Sequence, residues 1–250
     1  MTAVETVVFG ASRQGRVVLE VLRAQSQHSI LGFLDDDTAK FGALVDGLPV
    51  LGGMEWAAAN APTALLQGEG ELAPQTAQDF ARATSSRRLA AIAAIGSNDA
   101  RVDVAKRLRA LGFELINAVH PSTVIQGNVS LGAGNLICAG VILITGTRVE
   151  DDVVINTGST IDHDCLLESG AQVASGVTTS GCVTIRQGAF VGVGAILGPG
   201  VTVGERAIVG AGSLVLNNVP PRVLAYGTPC RVVRQLTGPV DWARILAGNG

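Results

Sequence analysis

The chain has 250 residues, 47% of them hydrophobic and 16% charged, with a net charge of −3. That balance supports a sizeable core, offers no basic stripe for a nucleic-acid surface, and includes no run of about 18 apolar residues that could span a membrane. The opening MTAVETVVFGAS lacks the basic region of a signal peptide, and Cys138, Cys165, Cys182 and Cys230 show no CxxC spacing, which reads as free thiols in a reducing cytoplasm with no metal site.

TVVFGASRQGRVVLEVLRA is a short apolar strand, a glycine turn and a helical pattern with Val17, Val18, Val21 and Leu22 on one side. SILGFLDDD is a second strand ending in Asp35, Asp36 and Asp37. The polar, Gly/Pro-punctuated stretch over 68–88 reads as a surface excursion with room for one helix. LAAIAAIGSN at 89–98 is a third strand, and DARVDVAKRLRALG the helix after it. Strands alternating with helices predict a Rossmann-like α/β domain over 1–117, with its ligand at the C-terminal strand ends. Gly10, Ser12 and Gly15 form a turn that lets a phosphate approach a helix N-terminus, although the full GxGxxG is absent. Asp35 and Asp36 follow the turn by about 20 residues, where an acid accepts from a ribose or base; a solvated acidic turn is the plainer reading. Gly96, Ser97 and Asn98 complete that crevice.

Near residue 118 the chain changes character. Every sixth residue from Ile125 to Val215 is Ile, Leu or Val in fifteen of sixteen positions, Thr179 being the exception. A helix cannot hold that register, because six residues turn it through about 600° and the stripe wanders. A hexapeptide period fits a parallel β-helix. The residue two before each apolar position is small or branched in Val129, Val141, Val153, Ala171, Val177, Val183, Ala189 and Val201, as a narrow prism requires, and Phe190 is the only aromatic from 119 to 218. Three hexapeptides make one coil, so 125–215 is about five coils.

This pattern, followed by VPPRVLAYGTPCRVVRQL at 219–236, resembles the left-handed β-helix of hexapeptide-repeat acyltransferases. With GASRQG, FLDDD, AIGSN, HPSTVI and NTGSTIDHDC, nearly the whole chain, all but 68–88 and the last dozen residues, resembles the sialic acid O-acetyltransferase and bacillosamine-pathway N-acetyltransferase group. The resemblance implies a nucleotide-sugar-binding domain over 1–117, an acetyltransferase β-helix over 118–218, a closing segment and tail over 219–250, acetyl-CoA as co-substrate, and a homotrimer with the cofactor between neighbouring prisms. It further implies N-acetylation of a nucleotide-linked amino sugar of the 4-amino-4,6-dideoxy type, in a cytoplasmic route to a polysaccharide. O-acetylation of a sialic-acid-type sugar and a non-catalytic sugar-nucleotide-binding trimer are the competing readings.

IDHDC at 161–165 sets an imidazole between two carboxylates, an arrangement found nowhere else in the repeat. By resemblance His163 is the general base and the acid after it, Asp164, its orienter, with Asp162 the other candidate. Imidazole suits the task because its unperturbed pKa is nearest neutral pH. A capped surface corner is the bland alternative. Gly181 matches the residue whose N–H meets the developing oxyanion, or is a plain glycine corner. Gln172 stands near where some relatives carry a second histidine by the acetyl group. Gly176, Val193, Gly194 and Ala211 match positions along the CoA groove, Arg231 a residue that meets the CoA phosphates, and Asn156 one that lines the acceptor pocket. Each is otherwise scaffold.

Overall fold

The computed structural model describes residues 4–61, 89–238 and 242. The 68–88 excursion lies outside the described residues. By its contacts the chain forms two units, 1–95 with 103–116 and 96–102 with 117–250. The short segment 96–102, expected to belong to the first domain, packs with the second unit.

The first unit is built on β1 (Val4–Phe9), α1 (Arg13–Gln25), β2 (His28–Leu34), β3 (Leu44–Val45), β4 (Leu48–Gly52), α2 (Met54–Ala59), β5 (Leu89–Ala93) and β6 (Glu114–Leu115). Helix α3 (Asn98–Ala110) precedes β6. The strand order is β3-β4-β2-β1-β5-β6. All neighbours are parallel except β3 with β4. Val7, Val8, Phe33, Leu34 and the run Leu89–Ala93 are buried, as central parallel strands covered on both faces require. Helix α1 buries Val18, Leu19, Val21 and Leu22 against that sheet. Val17, expected on the same side, is 42% exposed, since it lies off the stripe those four define.

The second unit is a β-helix of two-residue strands. Three sheets form its faces. One runs from β7 (Ala118–Val119) through β10 (Leu136–Ile137), β13 (Val154–Ile155), β16 (Gln172–Val173), β19 (Phe190–Val191) and β22 (Ile208–Val209) to β24 (Val223–Gly227) and β25 (Cys230–Gln235). The second holds β8 (Val124–Ile125), β11 (Ile142–Leu143), β14 (Thr160–Ile161), β17 (Thr178–Thr179), β20 (Ile196–Leu197) and β23 (Leu214–Val215). The third holds β9 (Ser130–Leu131), β12 (Arg148–Val149), β15 (Leu166–Leu167), β18 (Thr184–Ile185) and β21 (Thr202–Val203). From β7 to β23, neighbouring strands of a face pair in parallel 18 residues apart, as Val154 does with Gln172 and Leu166 with Thr184, whereas β22 pairs β24 at 16 residues and β24 pairs β25 antiparallel. The expected hexad is therefore the inward column: Ile137, Leu143, Val149, Ile155, Ile161, Leu167 and Val173 are buried in one continuous core.

Corners separate the faces. Their second residue has positive φ and is usually glycine, as at Gly146, Gly158 and Gly176, because a side chain there is strained. Asp152, Asp164, Cys182 and Arg206 take the same conformation. Phe190 stacks on Trp242 with centroids 4.2 Å apart, and the Trp242 indole N–H donates to the Gly96 carbonyl at 3.0 Å.

Candidate active site

Strand β14 runs from the corner at 157–158 to the corner at 163–164, so Ile161 points into the core and His163 emerges two residues later. His163 and Asp164 are accessible, with side chains 52% and 64% exposed. The His163 Nδ1 lies 2.9 Å from Asp164 Oδ2. The Asp162 carboxylate instead accepts the backbone N–H of His163 at 2.7 Å. Asp164 is thus the imidazole's partner and Asp162 holds the local turn. The Asp164 hydrogen bond raises the His163 pKa above its usual value, opposed by slight burial and helped by the charges of both aspartates.

Coil stacking makes room for this pair. A Cβ on Gly181, one coil further on, would stand 2.3 Å from His163 Nε2, so the ring lies against that glycine. A Cβ on Gly146, one coil back, would stand 2.3 Å from Asp164 Oδ1. Gly181 donates no hydrogen bond from its N–H among the described residues, while its carbonyl accepts from Gly200. Cys182 stands beside them; its Sγ, His163 and Asp164 offer ligand atoms within 4.8 Å of one another, all three exposed. Gly146 and Cys182 were not singled out from sequence, although both lie 18 residues from Asp164, and that coil period is the signal that finds them.

The cofactor candidates fall on one neighbouring edge. Gly194 N–H donates to Ser175 and Gly212 N–H to Val193, so the corners holding Gly176, Val193 with Gly194, and Ala211 stack in register, all exposed. This edge and the His163 edge border the face that carries β14, β17 and β20. Asn156 starts the same edge, with its side-chain amide donating to the Val173 carbonyl at 3.0 Å. Arg231 is exposed on β25 and donates to the Cys230 carbonyl at 2.9 Å.

Gln172 is placed differently from the expectation. It is 4% exposed, and its Oε1 accepts from Arg101 at 3.4 Å instead of facing His163. Arg101 is fully buried, donating also to the carbonyls of Asp152 and Gly170 at 3.0 Å and to Asn98 Oδ1 at 3.0 Å. Burial draws its pKa down to about 10, against the pull of Asp152. Asn98 is correspondingly buried, its amide donating to the Gly188 carbonyl at 3.1 Å. Its side chain is occupied within the second unit by Arg101 and the Gly188 carbonyl. Gly96 receives the Trp242 indole there, and Ser97 caps α3 through its carbonyl bond from Arg101.

In the first unit, Gly10 and Gly15 make the expected tight turn. A Cβ on Gly15 would meet the Gly10 carbonyl at 1.9 Å, and one on Gly10 the Ala94 carbonyl at 2.4 Å. Ser12 is the N-cap of α1 but makes no side-chain capping bond, and the first turn holds no acid. Asp35 is already engaged: it accepts from Ala11 N–H at 2.9 Å, Asp37 N–H at 3.0 Å and Lys40 Nζ at 2.8 Å. Burial pushes its carboxyl up, but these donors outweigh it and the net shift is downward. The Asp36 side chain is 54% exposed; its Oδ1 accepts from Met54 N–H at 2.8 Å and its Oδ2 lies 3.7 Å from Arg107. Asp36 and Arg107 line a cavity of about 450 Å³ with Phe41, Met54 and Trp56. Of the two aspartates, Asp35 braces the turn and Asp36 faces open space.

Residues 5–65 match the family described as the PglD N-terminal domain, and 182–217 match the bacterial transferase hexapeptide family. No curated protein sequence matches. Among solved structures, PerB from Caulobacter crescentus, in complex with CoA and GDP-perosamine, is 33% identical with a TM-score of 0.77, over 93% of this chain and 99% of that one. The acetyltransferase domain of PglB from Neisseria gonorrhoeae, in complex with acetyl coenzyme A, is 25% identical with a TM-score of 0.77, over 93% of this chain and 100% of that one. No described helix is long and apolar enough to cross a membrane.

Proposed function

This chain belongs to the bacillosamine-pathway family of left-handed β-helix, hexapeptide-repeat sugar acetyltransferases, and from that premise we propose that it carries acetyl from acetyl-CoA to the amine of a nucleotide-linked 4-amino-4,6-dideoxy sugar, with His163 as general base. It is an acyl-CoA-dependent sugar N-acetyltransferase. The observation that carries the mechanism is the His163–Asp164 pair lying against Gly181.

Asp164 holds Nδ1–H, which leaves Nε2 as the unprotonated nitrogen toward Gly181. The sugar amine attacks the thioester carbonyl while Nε2 takes its proton. The Gly181 N–H is the donor available to the developing oxyanion. Collapse expels the CoA sulfur, to which the imidazolium returns the proton. We place acetyl-CoA along the edge of Gly176, Val193, Gly194 and Ala211, with Arg231 toward its phosphates and Asn156 toward the acceptor. The nucleotide sits at the Gly10–Gly15 turn, with Asp36, half exposed at the cavity beside Arg107, the acid to meet it. Val124 and Ile196 are exposed on the face between the two edges, and a homotrimer covers them with a neighbouring prism. The reaction belongs in the cytoplasm, where acetyl-CoA is at hand and the four free thiols stay reduced.

The test is thiol release from acetyl-CoA against a panel of GDP-, UDP- and dTDP-linked 4-amino sugars and free sialic acid. Turnover on an amino-sugar nucleotide is expected; turnover confined to sialic acid overturns the N-acetyl reading. The pH dependence gives a sharper check. A base works when neutral, so the acid limb of kcat/KM follows the His163 pKa, which Asp164 raises. In Asp164→Asn that limb moves to lower pH, and the plateau rate falls by about 10²–10⁴-fold because the tautomer is no longer held. A limb that stays in place means Asp164 does not set the charge of the base.

A further inference from the structure

The residue following each inward position donates its N–H to the carbonyl of the inward residue on the next coil. Ile144 donates to Ile161, Asn156 to Val173, Glu168 to Ile185 and Ala174 to Val191. Asp162 departs from this rule. Its N–H goes to the Thr179 hydroxyl oxygen at 3.0 Å instead of the Thr179 carbonyl. Strands β14 and β17 correspondingly share one register pair, Thr160 with Thr178, where the adjacent pairs β11–β14 and β17–β20 share two. Thr179 is also the one member of the inward column that is not Ile, Leu or Val, and it is 3% exposed. On the other side, the Thr147 hydroxyl donates to the Asp162 carbonyl at 2.7 Å. Thr123 and Ser159 hold carbonyls the same way at Cys138 and Ala174, so that contact is ordinary scaffold. The Thr179 contact has no counterpart in the coils among the described residues.

A hydroxyl in an apolar column gains less from burial than the methyl it displaces, so stability alone favours valine there. The polar residue sits where the ladder is diverted, one residue before the proposed base. We propose that Thr179 is a positioning residue for His163: its hydroxyl draws the Asp162 N–H off the ladder and so sets the corner from which the imidazole reaches Gly181. This rests on the reading of His163 as base. With valine at 179, the Asp162 N–H returns to the backbone carbonyl and the corner shifts with it. A displacement of about 1 Å at a reacting group costs about 10²-fold in rate.

The experiment compares Thr179→Val, Thr179→Ser, His163→Ala and the Thr179→Val/His163→Ala double variant by steady-state kinetics and thermal melting. Thr179→Val is expected to lower kcat by about tenfold to a hundredfold, with both KM values and the midpoint of melting held or the latter raised. Thr179→Ser, which keeps the hydroxyl, retains kcat to within about threefold, and adding Thr179→Val to His163→Ala changes the residual rate no further. The proposal is overturned if Thr179→Val keeps the wild-type kcat, if serine is as impaired as valine, or if valine lowers the His163→Ala rate by the factor it costs the wild type. A wild-type rate in His163→Ala removes the base reading itself, and Thr179 with it. Loss in His163→Ala beside an unimpaired Thr179→Val removes only the positioning role.

Discussion

His163→Ala is expected to lower kcat by about 10²–10⁴-fold, or roughly 3–5 kcal/mol of transition-state stabilisation. On the proposed mechanism the amine sheds a proton as it bonds to the thioester carbon, with Nε2 as its acceptor. Because that interaction forms only as the proton moves, the KM values for acetyl-CoA and sugar nucleotide are expected to stay close to wild type. Stability should change little, since the ring is half exposed and its one side-chain hydrogen-bond partner among the described residues is Asp164, also exposed. Thiol release under saturating substrates, beside a melting curve, reads both. A fall confined to KM would make His163 a binding residue, and an unchanged kcat would reduce IDHDC to a capped corner.

Gly181→Ala is expected to lower kcat by at least about 10²-fold without unfolding the coil, because the misplaced group is the proposed base itself. The added Cβ would stand 2.3 Å from Nε2, 2.4 Å from Cε1 and 2.9 Å from Cδ2 of His163. Those atoms belong to an exposed ring that can swing away from Asp164 and the proposed oxyanion donor. The backbone at 181 is outside the left-handed region, so alanine is not strained there. Gly158→Ala is the converse control. Its φ is +71°, while its Cβ would meet nothing within 4 Å, so it is expected to cost about 1–2 kcal/mol in stability and spare turnover. Equal kcat in Gly181→Ala and wild type would mean that the imidazole acts from another rotamer.

The β-helix was legible because one physical constraint repeats: a side chain must fill a narrow interior every six residues, and any lapse leaves a mark. Thr179 was such a mark, visible as an exception but not explained. Its meaning required knowing which N–H it faces, and that residue lies 17 positions back on another coil. The same limit applied to Asn98 and Gln172. Each carried a plausible role by position, yet both turn out to surround Arg101, and Gln172 reaches it across 71 residues. No local pattern announces the partners of a buried cation. Asp35 and Asp36 are chemically identical in sequence. They part only when the fold brings Ala11 and Lys40 to one and leaves the other at the cavity lined by Arg107 and Trp56.

The parts of the proposed site come from three successive coils: Gly146, then His163 and Asp164, then Thr179 and Gly181. Their alignment is a matter of phase. Inserting or deleting six residues between 164 and 178 would leave every inward position inward and every corner a corner, so the chain would still wind. It would also carry Gly181 to a different edge of the prism, away from His163. Eighteen residues, by contrast, restore the edge and alter only the height. Length variation in this half of the chain is therefore tolerated by the architecture in steps of six and by the chemistry in steps of eighteen, and within the three coils of the site by the chemistry not at all.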